Sequence, residues 1–251
     1  MPLPPPTHAP AEAPPQPPPR APSGPLMVDL MSGPNAPVAS ACAMAGWRVI
    51  TIDCLINETD NLADPSCQDR VRKQVMAADF IWYAPDCATK SAIRRRKGFF
   101  ADGAPLPPEL RSEDFPLGLP GLEGANKQRV DADNEACDFC LGLIRAHQAK
   151  GAFSGRENPR NSLHWWLPME RKMFAQGAWA DTFYDSCVFQ GARHKKSTIR
   201  SDIDEIAAWK NLSCHHIHDK HEFARTQISA HKTLFPHKIE AEYTASLVVR
   251  T

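Results

Sequence analysis

The sequence predicts an α/β protein with a mostly parallel sheet and helices on both faces. One observation is an apolar run at 26–31, followed by turn residues, a small-residue helical stretch at 38–45 and a β-branched run at 47–52. A second observation is a pair of strand-like runs, at 80–84 and 151–158, that each stop at a proline. Strands that alternate with helical stretches indicate βαβ units, and therefore a parallel sheet.

Length and composition fit one folded domain that follows an N-terminal tail. The chain has 251 residues, and residues 1–25 are mostly proline and alanine. So few large apolar side chains cannot offset the entropy of ordering, so we predict a disordered tail at 1–25 and a domain at 26–251. A ligand for a proline-recognition domain is the alternative interpretation of the tail.

Charge and cysteine usage restrict the functional classes. The chain has 29 basic and 29 acidic residues, so global charge gives no attraction to nucleic acid or membranes. No stretch approaches the roughly 18 apolar residues of a membrane span, and prolines replace the apolar core of a signal peptide. The eight cysteines then indicate reduced thiols in an intracellular protein, without distinguishing nucleus from cytoplasm.

The remaining elements follow from periodicity and from helix-start residues. Helices are predicted at 64–76, where Pro65 lies in the first turn, and at 126–149, 163–174 and 237–249. The Gly- and Pro-rich stretch 98–124 predicts a long loop, and 179–188 predicts a pair of strands.

The first βαβ unit contains the spacing of a nucleoside site. Asp53 follows the Gly33 turn by about 20 residues, the spacing at which a carboxylate binds ribose hydroxyls. Pro34 and Pro37 stand where a dinucleotide-binding loop has glycines. An ordinary βαβ unit that binds no nucleoside is the alternative.

Cys87 is a candidate nucleophile because it follows Pro85 at the predicted carboxyl end of a strand, where open α/β sheets bind ligands. A structural cysteine is the alternative. Four cations at 94–97 come next, and a second basic cluster lies at 193–196. Either cluster indicates phosphate contacts or a solvated basic surface.

Two groups of cysteine and histidine raise the question of a metal. Cys137 and Cys140 have CxxC spacing, but no second such pair exists in the sequence. The stretch 214–221 contains one cysteine and four histidines whose spacing matches no zinc pattern. We predict no metal site.

Several segments of the sequence, and the order in which they occur, resemble those of the cytosine-5 DNA methyltransferase family. Asp29-Leu30-Met31-Ser32-Gly33 is similar to the Asp-Leu-Phe-Ser-Gly of that family, and Glu157-Asn158-Pro159 to its Glu-Asn-Val. The resemblance is tightest to a short branch of methylase-like proteins from protists, mobile elements and large viruses. It is carried there by the segments 85–94, 118–122, 157–165 and 191–198.

The resemblance implies a Rossmann-like methyltransferase fold, S-adenosyl-L-methionine as cofactor and DNA as substrate. It implies that the Cys87 thiolate adds to carbon 6 of a flipped-out cytosine, while Glu157 holds the protonated ring nitrogen. Arg193 and Lys195 are the further catalytic candidates. The implied cofactor residues are Asp29, Leu30, Ser32, Gly33, Asp53, Cys54 and Pro85. The implied nucleic-acid-binding residues are Ser91, Arg94, Arg95, Arg96, Asn158 and Lys196.

The chain also departs from that family. The stretch 34–37 is stiffer than the family loop, Lys90 replaces a buried aromatic residue, and Asp86 stands beside the thiol, where an anion disfavours the thiolate. The stretch 200–232 is short for a target recognition region, so specificity would be poor or supplied by a partner protein. Two alternatives stay open: a catalytically inactive module that binds nucleic acid or cofactor, and an unrelated Rossmann-type protein.

Overall fold

The computed structural model describes residues 24–99, 103–177, 179–189, 195–208, 212–215, 226–229 and 232–234. The predicted tail therefore lies almost entirely outside the described residues, as does the predicted helix at 237–249. The strands are β1 Leu26–Leu30, β2 Arg48–Ile52, β3 Phe80–Tyr83, β4 Phe153–Pro159, β5 Ala180–Asp185, β6 Lys196–Ser201, β7 Thr226–Ser229 and β8 Lys232–Leu234. The α-helices are α1 Pro37–Met44, α2 Pro65–Met76, α3 Gly124–Gln148, α4 Pro168–Gln176 and α5 Asp204–Ala207.

Six strands form one sheet in the order β2-β1-β3-β4-β6-β5. The first four in that order run parallel, and β6 is antiparallel to both of its neighbours. The strands β7 and β8 form a separate hairpin. The predicted mostly parallel sheet is confirmed.

Helices cover both faces of this sheet, as predicted. On one face α2, α3 and α4 pack on the sheet through a core that includes Val71, Val75, Leu141, Ile144 and Met173. On the other face α1 and α5 pack through a smaller core that includes Met27, Val38, Ala39, Trp82, Ile199 and Ile206. β1 is buried along its whole length because it lies inside the sheet between these two layers.

Two expectations for the second half of the chain were wrong in detail. The predicted helix at 163–174 is broken into a 3₁₀ turn, Leu163–Trp166, and α4, because the residue before Pro168 is extended (ψ 136° at Leu167). The stretch 179–188 holds one strand, β5, and a 3₁₀ turn, Ser186–Phe189, rather than a strand pair. The partner of β5 is β6, at the second basic cluster.

Gly155 is required by the close approach of an aromatic ring across the sheet. Trp82 and Gly155 are neighbours in the β3–β4 pairing, and a Cβ atom at Gly155 would lie 2.5 Å from the Trp82 ring. The absence of a side chain leaves room for the indole ring against β4, two residues before Glu157.

The strand order reverses at β1, and this places a crevice at the carboxyl ends of β1 and β3. The chain runs from β1 to β2 on one side and then returns to β3 on the other side of β1. Loops from adjacent strands diverge at such a point, which is where open α/β sheets bind ligands. No helix in the described part of the chain is long and apolar enough to cross a membrane.

Candidate functional site

The turn after β1 has an unusual backbone. Met31, Gly33 and Ala36 all have positive φ angles, of 58°, 71° and 39°. Left-handed conformations at residues other than glycine cost on the order of 1–3 kcal/mol each and cluster at ligand sites. Strain at Met31 and Ala36 therefore indicates a turn shaped for a purpose other than stability.

Asp29 lies beneath this turn, on the face of the sheet that α1 covers. The carboxyl group is 1% exposed, and its Oδ2 accepts a hydrogen bond from the Ala39 backbone N–H at 3.3 Å. Its Oδ1 has no hydrogen-bond partner in the described structure. Burial raises the pKa of Asp29 to about 8, with a further contribution from Asp53, so the isolated carboxyl is protonated at neutral pH.

Asp53 ties the end of β2 to the same turn. Its Oδ2 accepts from the Gly33 N–H at 2.8 Å, and its Oδ1 accepts from the Leu55 N–H at 2.7 Å. Cys54, next in the chain, is an exposed residue. Partial burial of its thiol and the nearby Asp53 charge raise the pKa of that thiol. Sequence spacing alone led to Asp53 as a ribose-binding residue; the structure places its carboxylate against the turn, and its contact with a ribose stays a prediction.

The donor set around the turn suits a ligand that carries positive charge. α1 has little to offer a phosphate, because Pro37 has no N–H and the Ala39 N–H already binds Asp29. The Asp53 carboxylate would repel a pyrophosphate and attract a cation, and the protonated Asp29 carboxyl offers a phosphate no positive charge. A ligand that joins a ribose to a cationic group fits this set. Leu30 is fully buried, so only its backbone could reach a cofactor.

The loop that carries Cys87 follows β3 and is fastened to β4. Asn158 donates its side-chain N–H to the Pro85 carbonyl at 2.9 Å, and the Asp86 carboxylate accepts from the Ala88 N–H at 2.9 Å. Lys90 donates its backbone N–H to the Cys87 carbonyl at 3.0 Å, which closes a tight turn around the cysteine. Asn158 is 1% exposed, so its predicted contact with nucleic acid stays a prediction.

Four charged groups surround the Cys87 thiol. Burial raises the pKa of the thiol above its ordinary value, and the Asp86 and Glu157 carboxylates raise it further. Lys195 and Lys90 act in the opposite direction. The structure therefore brings three of the predicted catalytic residues, Cys87, Glu157 and Lys195, into one neighbourhood. Arg193 lies outside the described residues.

Glu157 is the centre of the second half of the site. It points from β4 toward the α1 side and is nearly buried, with Oε1 at 3.5 Å from both Lys195 Nζ and the Tyr184 hydroxyl. Lys195 is held in turn by Ser186, whose N–H donates to the Lys195 carbonyl at 2.8 Å. Sequence reasoning missed Tyr184, because only the β4-β6-β5 order brings it to Glu157.

The first basic cluster divides into anchored and exposed cations. Ser91 caps a 3₁₀ turn, Ala92–Arg95, by accepting from the Ile93 N–H at 3.4 Å. Arg94 donates to the Ala88 carbonyl and, at 3.0 Å, to the Pro108 carbonyl, so it holds the Cys87 loop in place. Its role in phosphate binding stays a prediction.

The other predicted nucleic-acid-binding cations are more accessible. Arg95 makes long contacts, 3.4 Å each, with the Glu113 carboxylate and the Asn161 carbonyl. Arg96 and Lys196 have exposed side chains. Arg96 follows the carboxyl end of β3 and Lys196 begins the antiparallel β6, so both lie at the same edge of the sheet. These three side chains are the ones whose exposure is compatible with binding a phosphate backbone.

A buried guanidinium network lies on the opposite face of β4 and β6. Arg200 forms a two-pronged ion pair with Asp181, at 2.7 and 2.8 Å, and a third contact with Glu170 at 2.9 Å. Arg156 lies 3.1 Å from the same Glu170 and stacks on the Trp179 ring. This network ties α4 to β4, which carries Glu157, and to β6, which directly follows Lys195.

The cysteine and histidine groups show no metal geometry where they are described. Cys137 and Cys140 are buried on α3, and the Tyr83 hydroxyl donates to Cys137 Sγ at 3.3 Å. Cys214 is held by its N–H, which donates to Asp185 at 2.8 Å. Within the described ranges, no three His, Cys, Asp or Glu side chains converge as metal ligands, and His216, His218 and His221 lie outside those ranges.

Comparison with known proteins gives a distant structural likeness. No family model matches the chain, and no curated protein matches it. Among solved structures it is similar to the S. pombe Dnmt2 methyltransferase, with a TM-score of 0.41 and 12% sequence identity. The match covers 79% of this chain and 58% of the Dnmt2 chain. The function proposed below therefore depends on the geometry of the site itself.

Proposed function

We propose that this protein methylates carbon 5 of cytosine in DNA, with S-adenosyl-L-methionine as methyl donor and Cys87 as covalent nucleophile. The observation that carries the proposal is the meeting of Cys87, Glu157 and Lys195 at the ends of adjacent strands, beside the strained turn after β1. A thiol, a carboxylate and an ammonium group are the set that addition to a pyrimidine ring requires.

The cofactor would lie against the turn after β1. When bound, it supplies an electrophilic methyl group on a sulfonium. Asp53 would take the ribose hydroxyls, and Ser32, Gly33 and Pro85 would border the methionine part. Asp29 has a carboxyl oxygen without a partner beneath the turn, and a nearby cation would favour ionisation of that carboxyl.

Cys87 and Glu157 would perform the chemistry on the base. Carbon 5 of cytosine is a poor nucleophile until Sγ forms a bond to carbon 6, which makes carbon 5 enamine-like. Glu157 holds the proton on the ring nitrogen as that bond forms, so that negative charge does not accumulate on the ring. After methylation, loss of the proton on carbon 5 lets the Sγ–carbon 6 bond break and releases the thiolate.

The cations would serve the thiol and the DNA backbone. Lys195 favours the thiolate of Cys87, because an ammonium group close to a thiol lowers its pKa. Arg193 is assigned to the same neighbourhood from the sequence alone. Arg95, Arg96 and Lys196 would grip phosphates beside the target, since a base must leave the stack to reach a thiol at this depth.

A second candidate function is a module that binds DNA or cofactor without catalysis. The observation in its favour is the thiol itself: burial and the adjacent Asp86 raise the pKa of Cys87, which lowers the thiolate fraction at neutral pH. The two candidates share the fold and the cofactor turn, so only a chemical assay separates them.

Trapping on DNA that contains 5-fluorocytosine tests the proposal. Fluorine replaces the proton that must leave carbon 5, so an active enzyme stays covalently bound after methyl transfer. We expect a denaturant-resistant complex that needs the cofactor, disappears in Cys87→Ser and persists in Cys214→Ser, a matched cysteine change outside the site. Glu157→Gln should reduce the rate of trapping strongly.

Calorimetry with S-adenosyl-L-methionine completes the assay. Cofactor binding without a covalent complex would refute the proposed methyltransferase activity and support the non-catalytic module. Trapping on RNA of the same sequence, but not on DNA, would overturn the assignment of DNA as substrate. Absence of both cofactor binding and trapping would refute both candidates.

A further inference from the structure

A largely buried carboxylate on α3, with 11% of its side chain exposed, holds the loop that carries Cys87. Asp133 accepts hydrogen bonds from the Thr89 hydroxyl, from Lys90 Nζ at 2.5 Å and from Arg111 Nη2 at 2.9 Å. Thr89 and Lys90 belong to the Cys87 loop, and Arg111 belongs to the long segment before α3. The side chain of Lys90 is fully buried.

Arg111 uses all of its guanidinium nitrogens within this cluster. Nη1 donates to the Pro116 carbonyl at 2.6 Å and to Asn134 Oδ1 at 2.7 Å, and Nε donates to the Thr89 hydroxyl at 3.2 Å. The segment 103–123 is thereby fastened to α3 and to the Cys87 loop at one point. We call Thr89, Lys90, Arg111 and Asp133 the Asp133 hub.

The hub retains its charges inside the protein. Burial alone would lower the pKa of Lys90, but Cys137 and Asp133 raise it above its ordinary value. Burial would raise the pKa of Asp133, but Lys90, Thr89 and Arg111 hold it below its ordinary value. Lys90 therefore stays a cation three residues from Cys87, and it opposes the effects of Asp86 and Glu157 on the thiol.

A stabilising role alone does not account for the hub. A buried ion pair commonly stabilises a fold no better than apolar side chains of the same volume. What such a cluster does provide is one defined geometry, since each of its hydrogen bonds has a direction. The geometry defined here is that of the turn in which Lys90 donates its backbone N–H to the Cys87 carbonyl.

We infer that Asp133 is a positioning residue for Cys87, which it serves through Thr89 and Lys90 by fixing the loop that carries the thiol. Arg111 closes the segment 103–123 over the same carboxylate. The inference builds on the proposed function, because a fixed thiol matters most if Cys87 is the reacting group. Asp133 itself touches neither the thiol nor any group assigned to substrate.

Alkylation of Cys87 tests the inference without DNA or cofactor. The full chain is treated with iodoacetamide between pH 6.5 and 10, and mass spectrometry of peptides follows Cys87 and, as a buried reference, Cys140. In Asp133→Asn we expect the Cys87 loop to be released and the thiol to be less buried. The midpoint of the pH dependence of Cys87 alkylation should therefore be lower. A fall of one unit gives roughly tenfold more thiolate at pH 7 and a correspondingly faster reaction.

Two further variants keep the test decisive. Thr89→Val removes one hydroxyl at nearly constant shape, so the variant should fold. It should change the alkylation rate of Cys87 in the same direction as Asp133→Asn, by a smaller factor. Val75→Ala opens a cavity in the core under α2, away from the hub, and is the control for general destabilisation. Val75→Ala should change the alkylation rates of Cys87 and Cys140 by the same factor.

Unchanged Cys87 profiles in Asp133→Asn and Thr89→Val would overturn the inference, as would an equal shift in Val75→Ala. The proposed function fails separately. A shifted profile together with no trapping on 5-fluorocytosine DNA would keep the positioning role and refute the methyltransferase.

Discussion

Replacing Asp29 with asparagine should make the protein more resistant to alkaline loss of stability. In the unfolded chain this carboxyl ionises near pH 3.8, whereas burial raises the pKa in the folded protein to about 8. Between these values the folded state binds the extra proton, so each increase in pH favours the unfolded state. The contribution is fully present below about pH 4 and is lost as the pH rises through 8.

The size of the effect follows from the two pKa values. Integrated from pH 5 to pH 8, the difference in bound protons amounts to ~3.5 kcal/mol of lost unfolding free energy. Asparagine has nearly the same shape, can accept the hydrogen bond from Ala39 and never ionises. The variant should therefore gain ~3.5 kcal/mol relative to wild type across this range.

Urea denaturation at pH 5, 6, 7 and 8 measures this difference, and subtraction of the two proteins removes the contributions of all other titrating groups. Asp64→Asn is the matched control. Asp64 is exposed at the start of α2, and its hydrogen bonds with Ser66 lower its pKa, so it is ionised in both states above pH 5. The control difference should be flat. No change of the Asp29→Asn difference with pH would refute a buried, protonated carboxyl beneath the turn after β1.

Two further predictions concern the packing behind the site. Gly155→Ala should lower the free energy of unfolding, measured by urea denaturation, by about 1–3 kcal/mol, because its Cβ meets the Trp82 ring. Gly142→Ala on α3 is the control: its Cβ would meet no atom within 4 Å, so the change should be neutral or stabilising. An equal effect of the two changes would contradict the close approach. Glu170→Gln should cost about 3–5 kcal/mol, because it leaves the buried guanidinium network without its shared carboxylate. A loss below ~1 kcal/mol would show that solvent compensates these charges.

Local signals in the sequence were sufficient for most elements. Pro65 with Asp64 before it predicts the start of α2, and Gly46 predicts the end of α1, since both depend on hydrogen bonds within a few residues. The spacing from Gly33 to Asp53 likewise predicts that both lie at one end of adjacent strands, because they belong to one βαβ unit, and the structure shows a hydrogen bond between them. Each of these predictions needs only one supersecondary unit.

The strand order could not be predicted from the same signals. The antiparallel β6 between β4 and β5 was missed, because the sequence there reads as a basic cluster rather than as an apolar run. The position of β6 brings Lys195, directly before it, and Tyr184, on the adjacent β5, to Glu157, and neither contact is visible in the sequence. Contacts of this kind depend on which edge a strand joins, and that is decided by the packing of the whole sheet.

Lys90 shows the same division between sequence and tertiary structure. In the sequence it is a cation beside a candidate nucleophile, where a buried aromatic residue was expected from the resemblance. The structure buries it completely, since Asp133, 43 residues later, supplies the opposite charge. The sequence alone thus determined α1, α2, α3, the strands β1 to β4 and the Cys87 turn, because these rest on local periodicity, caps and prolines. Only the tertiary structure decided which charges meet at Cys87, because burial in the sheet and the pairing of distant side chains set that environment.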